Sequence, residues 1–118
     1  MEKIFKQALL YDFYGELLTE HQRSVYEDAV YNDMSLSEIA QEYEISRQGV
    51  HDLIRRCDRI LQEYEDKLQL VNKFVNAKEK LGRIAELVSE LELVNADEHS
   101  MDKLEEIKKV SADLMKEF

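Results

Sequence analysis

The residues best suited to chemistry lie between Ser46 and Ile60, where Arg47, Gln48, His51, Asp52, Arg55, Arg56 and Arg59 occupy one run of helix-forming residues. Guanidinium and carboxamide groups hydrogen-bond in pairs: arginine forks onto guanine or a phosphate, glutamine onto adenine. At helical steps of about 100°, with Val50, Ile54, Cys57 and Leu61 inward, Gln48, Asp52, Arg55 and Arg59 share the outward stripe, and His51 flanks it. We read Gln48, His51, Asp52, Arg55 and Arg59 as nucleic-acid contacts and Arg47 and Arg56 as phosphate contacts. A blander reading competes: a solvated face in which Asp52 neutralises Arg55 at i+3 and Arg56 at i+4. The surrounding motif favours a contact surface for nucleic acid or protein.

That motif is the stretch Ser35–Ile60, SLSEIAQEYEISRQGVHDLIRRCDRI, which reads as two helices joined by a tight turn, a helix-turn-helix. Ser35 and Glu38 form a capping box that starts the first helix, and Ser46 caps the second. Ile39, Ala40 and Tyr43 line one face of the first helix, Ile45 sits in the turn, and Val50 and Leu53 follow; Ala40 is small where two helices cross. The turn position often given to glycine holds Glu44, so a residue with a Cβ must adopt positive φ at a cost of about 1 kcal/mol.

The whole chain, 118 residues with no proline, three glycines and 44% apolar side chains, is expected to be all-α with enough apolar content for a core. A first helix is predicted over Glu2–Leu18; a second begins at a Thr19–Gln22 capping box and breaks at Asn32-Asp33. The net charge of −10 argues against a general polyanion binder. Arg47, Arg55, Arg56 and Arg59 are faced within their segment only by Asp52 and Asp58, so contact with nucleic acid is confined to that helix.

Leu17–Arg23 (LLTEHQR), Ser35–Ala40 (SLSEIA) and Ile45–Val50 (ISRQGV) resemble the promoter-reading fourth region of bacterial sigma factors. With Tyr11–Tyr14 (YDFY), Ile54-Arg55-Arg56 and Tyr64–Leu68 (YEDKL), they resemble more narrowly the YlxM-like family of helix-turn-helix proteins of Gram-positive bacteria, over roughly the first two thirds of the chain. The resemblance implies a sigma-region-4-like fold and a part in the signal recognition particle pathway, with the particle's GTPase or RNA as partner. Family members commonly carry a turn-permissive residue where Glu44 stands.

From Leu61 the second helix is predicted to continue without stopping, through a seam of Leu61, Tyr64, Leu68, Val71 and Val75. A second seam, including Leu81, Ile84, Val88 and Leu91, is one residue out of phase; a stammer, a kink near Gly82 or a change of partner would each produce the slip. Asn95–Ser100 is expected to end this helix, and a last amphipathic helix from about Met101 carries Leu104, Ile107, Val110, Leu114, Met115 and Phe118. These divide the chain into a helix-turn-helix domain at 1–62 and a helical arm at 63–118, which must dock on the first domain or on a second copy. A homodimer is favoured, since paired recognition helices read two half-sites.

No catalytic or cofactor constellation is present. Carboxylates are scattered, no glycine-rich phosphate loop exists, and His21, His51, His99 and Cys57 share no metal-ligand spacing. Cys57 reads as a small buried hydrophobe and the tyrosines as packed aromatics. With no run of about 18 uncharged apolar residues, no membrane contact is expected and a cytoplasmic location is. The reading is a non-enzymatic regulator that binds DNA; its alternative is an adaptor of the signal recognition particle with no sequence-specific DNA binding.

Overall fold

The computed structural model describes residues 2–94 and 98–117. Six α-helices follow in order: α1 (Lys3–Tyr14), α2 (Glu20–Val30), α3 (Leu36–Tyr43), α4 (Arg47–Leu68), α5 (Leu70–Val94) and α6 (Glu98–Glu117). No strand occurs among the described residues. The chain divides into two compact units, Met1–Val71 and Asn72–Phe118.

In the first unit each helix starts where a side chain satisfies its free N–H groups. Thr19 and Gln22 form a reciprocal capping box before α2, as do Ser35 and Glu38 before α3. The Ser46 hydroxyl accepts from the Gly49 N–H at 2.9 Å before α4. One apolar stripe from each of α2, α3 and α4 meets in a core of Val25, Ile39 and Val50, all fully buried, with Ala40, Ile45 and Leu53 packed against it. Leu10, Tyr14 and Leu18 from the N-terminal segment and Tyr26, Cys57 and Leu61 from α2 and α4 are buried as well. Burial pushes the Cys57 thiol up to about 11, as expected of an inward, unreactive cysteine.

The predicted first helix is shorter than expected. The α-helix ends at Tyr14, and Gly15–Leu17 tighten into a 3₁₀ turn before Leu18 extends toward the Thr19 cap. Gly15 lies directly under the Tyr11 ring, where an added Cβ would come within 2.8 Å of it. The break at Asn32-Asp33 is present: Asp33 takes φ 51°, and Asp28 gathers the turn through the Asn32 side chain, the Met34 N–H and the Tyr43 hydroxyl.

The uninterrupted helix predicted beyond Leu61 is not what forms. Gln69 adopts the left-handed conformation, φ 56°, ψ 29°, which ends α4 and starts α5 afresh. The cause is a polar knot against α1. The buried Glu65 carboxylate accepts from the Tyr14 hydroxyl at 2.5 Å and the Val71 N–H at 3.0 Å, while the Leu70 N–H donates to the Tyr14 oxygen at 3.1 Å. The expected first seam is therefore split, with Leu61 buried and Leu68 47% exposed. Gly82, the suspected kink, lies inside continuous helix in open space.

In the second unit α5 and α6 are joined by an ion pair of Glu92 and Lys108 at 3.7 Å. Of the expected Asn95–Ser100 break, residues 95–97 lie outside the described residues, as does Phe118, and 98–100 already belong to α6. No described helix is long and apolar enough to cross a membrane.

Candidate nucleic-acid interface

The turn between α3 and α4 is built as a helix-turn-helix demands. Glu44 takes the left-handed conformation, φ 56°, ψ 42°, and its N–H and that of Ile45 both return to the Ala40 carbonyl. Local strain of about 1 kcal/mol is offset by the packing of Ile45 and Tyr43 on the core. The Tyr43 hydroxyl donates to Asp28 at 2.7 Å, a bond that pushes this phenol up to about 12 and fixes α3 against α2. The Glu38 carboxyl is held below its ordinary range by the Ser35 N–H and hydroxyl.

With Val50 and Cys57 fully buried, α4 turns Arg47, Gln48, His51, Asp52, Arg55, Arg56 and Arg59 outward, all exposed as the periodicity predicts. The neutralising pairs that would make this a solvated face do not form. Asp52 accepts from the Gln48 amide at 3.0 Å and lies 3.7 Å from His51 Nδ1. Among the described residues no carboxylate is in an ion pair with Arg47, Arg55, Arg56 or Arg59. Asp58, counted in the sequence against the arginines, is half-buried on the other side of α4. It accepts from the Tyr26 hydroxyl at 2.5 Å and the Gln7 amide at 2.9 Å.

Two clefts flank the helix. Arg47, Gln48 and His51 line one of about 410 Å³ with Leu36, the first residue of α3. Gly49, Asp52, Leu53 and Arg56 line the other, about 400 Å³, with Thr19, His21 and Gln22 from the start of α2. Arg55 and Arg59 border neither; at a rise of about 1.5 Å per residue Arg59 stands roughly 18 Å along the axis from Arg47. The N-terminal ends of α2, α3 and α4 thus lie on the arginine face. Their partial positive charges add to the guanidinium charges, although Glu20 in the first turn of α2 and Glu38 in the first turn of α3 oppose them there.

Thr19, His21, Gln22 and Leu36 were not anticipated as neighbours of this face. Both capping boxes announce a helix start, but only the packing brings those starts beside α4. His21 is held there by an edge-on contact with the Tyr43 ring, 5.7 Å between centroids. Among the described residues no cluster of three His, Cys, Asp or Glu could hold a metal ion.

This arrangement agrees with the comparisons with known proteins. A family model described as "Putative helix-turn-helix protein, YlxM / p13 like" matches residues 1–104. A UPF0122 protein of Bacillus thuringiensis (strain Al Hakam) is 43% identical over 97 residues, covering 82% of this chain and 88% of the relative. UPF0122 proteins of Bacillus cereus (strain 03BB102) and Bacillus mycoides (strain KBAB4) match with the same identity and coverage. The family is one of helix-turn-helix proteins and not of enzymes, and the chain belongs to it: it is a UPF0122, YlxM/p13-like protein.

Proposed function

We propose that this protein is a cytoplasmic regulator that binds duplex DNA through the first four turns of α4. The observation that carries the reading is the set of four exposed arginines without carboxylate partners, beside the starts of α2 and α3, on a molecule of net charge −10. Gln48, His51 and Asp52 stand in the N-terminal part of α4, where a recognition helix reaches base edges; Asp52 suits the amino group of cytosine and Gln48 an adenine. Arg47 and Arg56 lie at its margins beside the helix starts and suit phosphates. Arg55 and Arg59 extend the contact along the groove.

The test is a binding selection on random duplexes at roughly 100 mM salt, followed by a salt titration of the selected site. Each arginine that neutralises a phosphate contributes about 0.9 to the slope of log affinity against log salt. Replacing Arg55 and Arg59 by alanine is expected to flatten that slope by about one unit each. Unchanged affinity and slope in both variants would refute the reading.

The charge of −10 favours one second reading, an adaptor of the signal recognition particle whose acidic surface docks on a basic protein partner, the particle's GTPase, while the arginines of α4 are the part that would meet the particle's RNA. Failure to enrich any duplex, together with specific binding to the purified GTPase or particle RNA, would select it.

A further inference from the structure

The second unit carries an apolar face that its own two helices do not cover. Within this unit α5 buries Leu81 and Val88, and α6 buries Leu104 and Ser111. Beside them Ile84, Leu87 and Leu91 remain 39%, 42% and 47% exposed, and Ile107, Val110 and Leu114 46%, 52% and 39%. Both sets step by three and then by four residues, the spacing of a packing seam and not of scattered surface residues. Ile84 lines one groove of about 580 Å³ with Ile107, Val110 and Leu114, so the α5 stripe adjoins the α6 stripe at Ile84. Two helices of 25 and 20 residues sharing so small a buried set are not stable alone, and the face requires an occupant.

The charge pattern identifies that occupant. The first half of the α5 stretch within this unit holds Lys73, Lys78, Lys80 and Arg83 against Glu79; the second holds Glu86, Glu90 and Glu92 and no base. In α6 the order is reversed: Glu98, Asp102, Glu105 and Glu106 precede Lys108, Lys109 and Lys116, with Lys103, Asp113 and Glu117 the exceptions. A helix positive in one half and negative in the other is complementary to a copy of itself running the opposite way, which a two-fold axis across the helix produces.

We infer that this face joins two copies of the chain, with α5 of each running antiparallel to α5 of the other about an axis near residues 85–86. In that register Ile84 of one copy meets Leu87 of the second copy. Arg83, which pairs with Glu86 of its own helix at 3.0 Å, meets Glu90 of the second copy with its remaining donors, at the positions that flank a coiled-coil seam. At roughly 80 Å² of exposed surface per apolar residue, the six residues offer about 500 Å² per chain, just below the small end of the ~600–1,000 Å² per partner of specific interfaces.

Sedimentation equilibrium of the full chain from about 1 to 100 µM tests this, and the mass of two chains is expected. Leu87→Glu places charge in the seam at an already exposed position, so it should yield single chains, whose helical circular dichroism falls by no more than the share of α5 and α6. Arg83→Glu should weaken association about tenfold through its two symmetric contacts, and adding Glu90→Arg should restore it by exchanging the charges. A wild-type mass of one chain throughout, a dimer indifferent to Leu87→Glu, or a double variant no tighter than Arg83→Glu would overturn the proposal. None of these measurements involves nucleic acid, so the outcome is independent of the function proposed for α4.

Discussion

Replacing Glu65 with alanine tests the polar knot that ends α4. In the folded chain one oxygen of Glu65, a residue 8% exposed, accepts from Tyr14, which is 1% exposed, and from the Val71 N–H. A hydrogen bond to a charged acceptor contributes about 1.5–3 kcal/mol, and a buried donor left without a partner costs about 1–3 kcal/mol. Glu65→Ala removes the acceptor from both donors, so a loss of about 3 kcal/mol is expected. Tyr14→Phe keeps the ring and the Val71 bond but leaves the Leu70 N–H without its acceptor, for a loss of about 2 kcal/mol. Because the two substitutions delete one shared bond, the double variant should cost less than their sum by about 1–2 kcal/mol. Urea unfolding of the four proteins measures all three quantities, and amide exchange at Val71 should accelerate in Glu65→Ala. A loss below about 0.5 kcal/mol in Glu65→Ala, or strictly additive costs, would refute the claim that this carboxylate holds the junction.

Ser46→Ala removes the cap of α4 and should cost about 1 kcal/mol in urea unfolding, with a matching loss of DNA affinity because the frayed turn carries Arg47 and Gln48. The tyrosines predict an alkaline transition. Burial and Glu27 push Tyr11 from 10.0 up to about 12, Asp28 and burial push Tyr43 up to about 12, and burial with Asp58 and Asp12 raises Tyr26 and Tyr31 in the same direction. A group raised on folding contributes stability that is complete below its unfolded value and lost as pH rises through its folded value. Stability should therefore hold to about pH 10 and fall toward pH 12, followed by tyrosinate absorbance and circular dichroism together; ionisation at pH 10 with the helices intact would contradict it.

Short-range chemistry was the legible part of this sequence. The two capping boxes, the serine cap of α4, the left-handed Glu44 and the inward Val50, Cys57 and Leu61 follow from neighbours within four residues, and each is present. What escaped depends on distant partners. Glu65 and Tyr14 are 51 residues apart, so the apolar periodicity across Gln69 read as one helix although a buried carboxylate forces a break there. The arginine face was legible from helical phase, but its strength was not. Asp58 counts against the arginines in the sequence and turns toward Tyr26 and Gln7 in the fold.

The same point resolves the apparent conflict between a charge of −10 and the phosphate-binding role proposed for the arginine face. The first unit packs tyrosines on helix surfaces, and five of them donate to carboxylates: Tyr11 to Glu27, Tyr14 to Glu65, Tyr26 to Asp58, Tyr31 to Asp12 and Tyr43 to Asp28. A buried or half-buried phenol needs an acceptor, so part of the acidity is the cost of an aromatic core in a small domain. Those carboxylates are fixed on the far ends of tyrosine bonds and are not available to pair with the arginines of α4. At physiological salt a charge acts over about 8 Å, so a phosphate at α4 responds to the guanidinium groups and helix ends beside it more than to acids across the molecule. Net charge then governs how fast a polyanion approaches, and the local arrangement governs whether it stays.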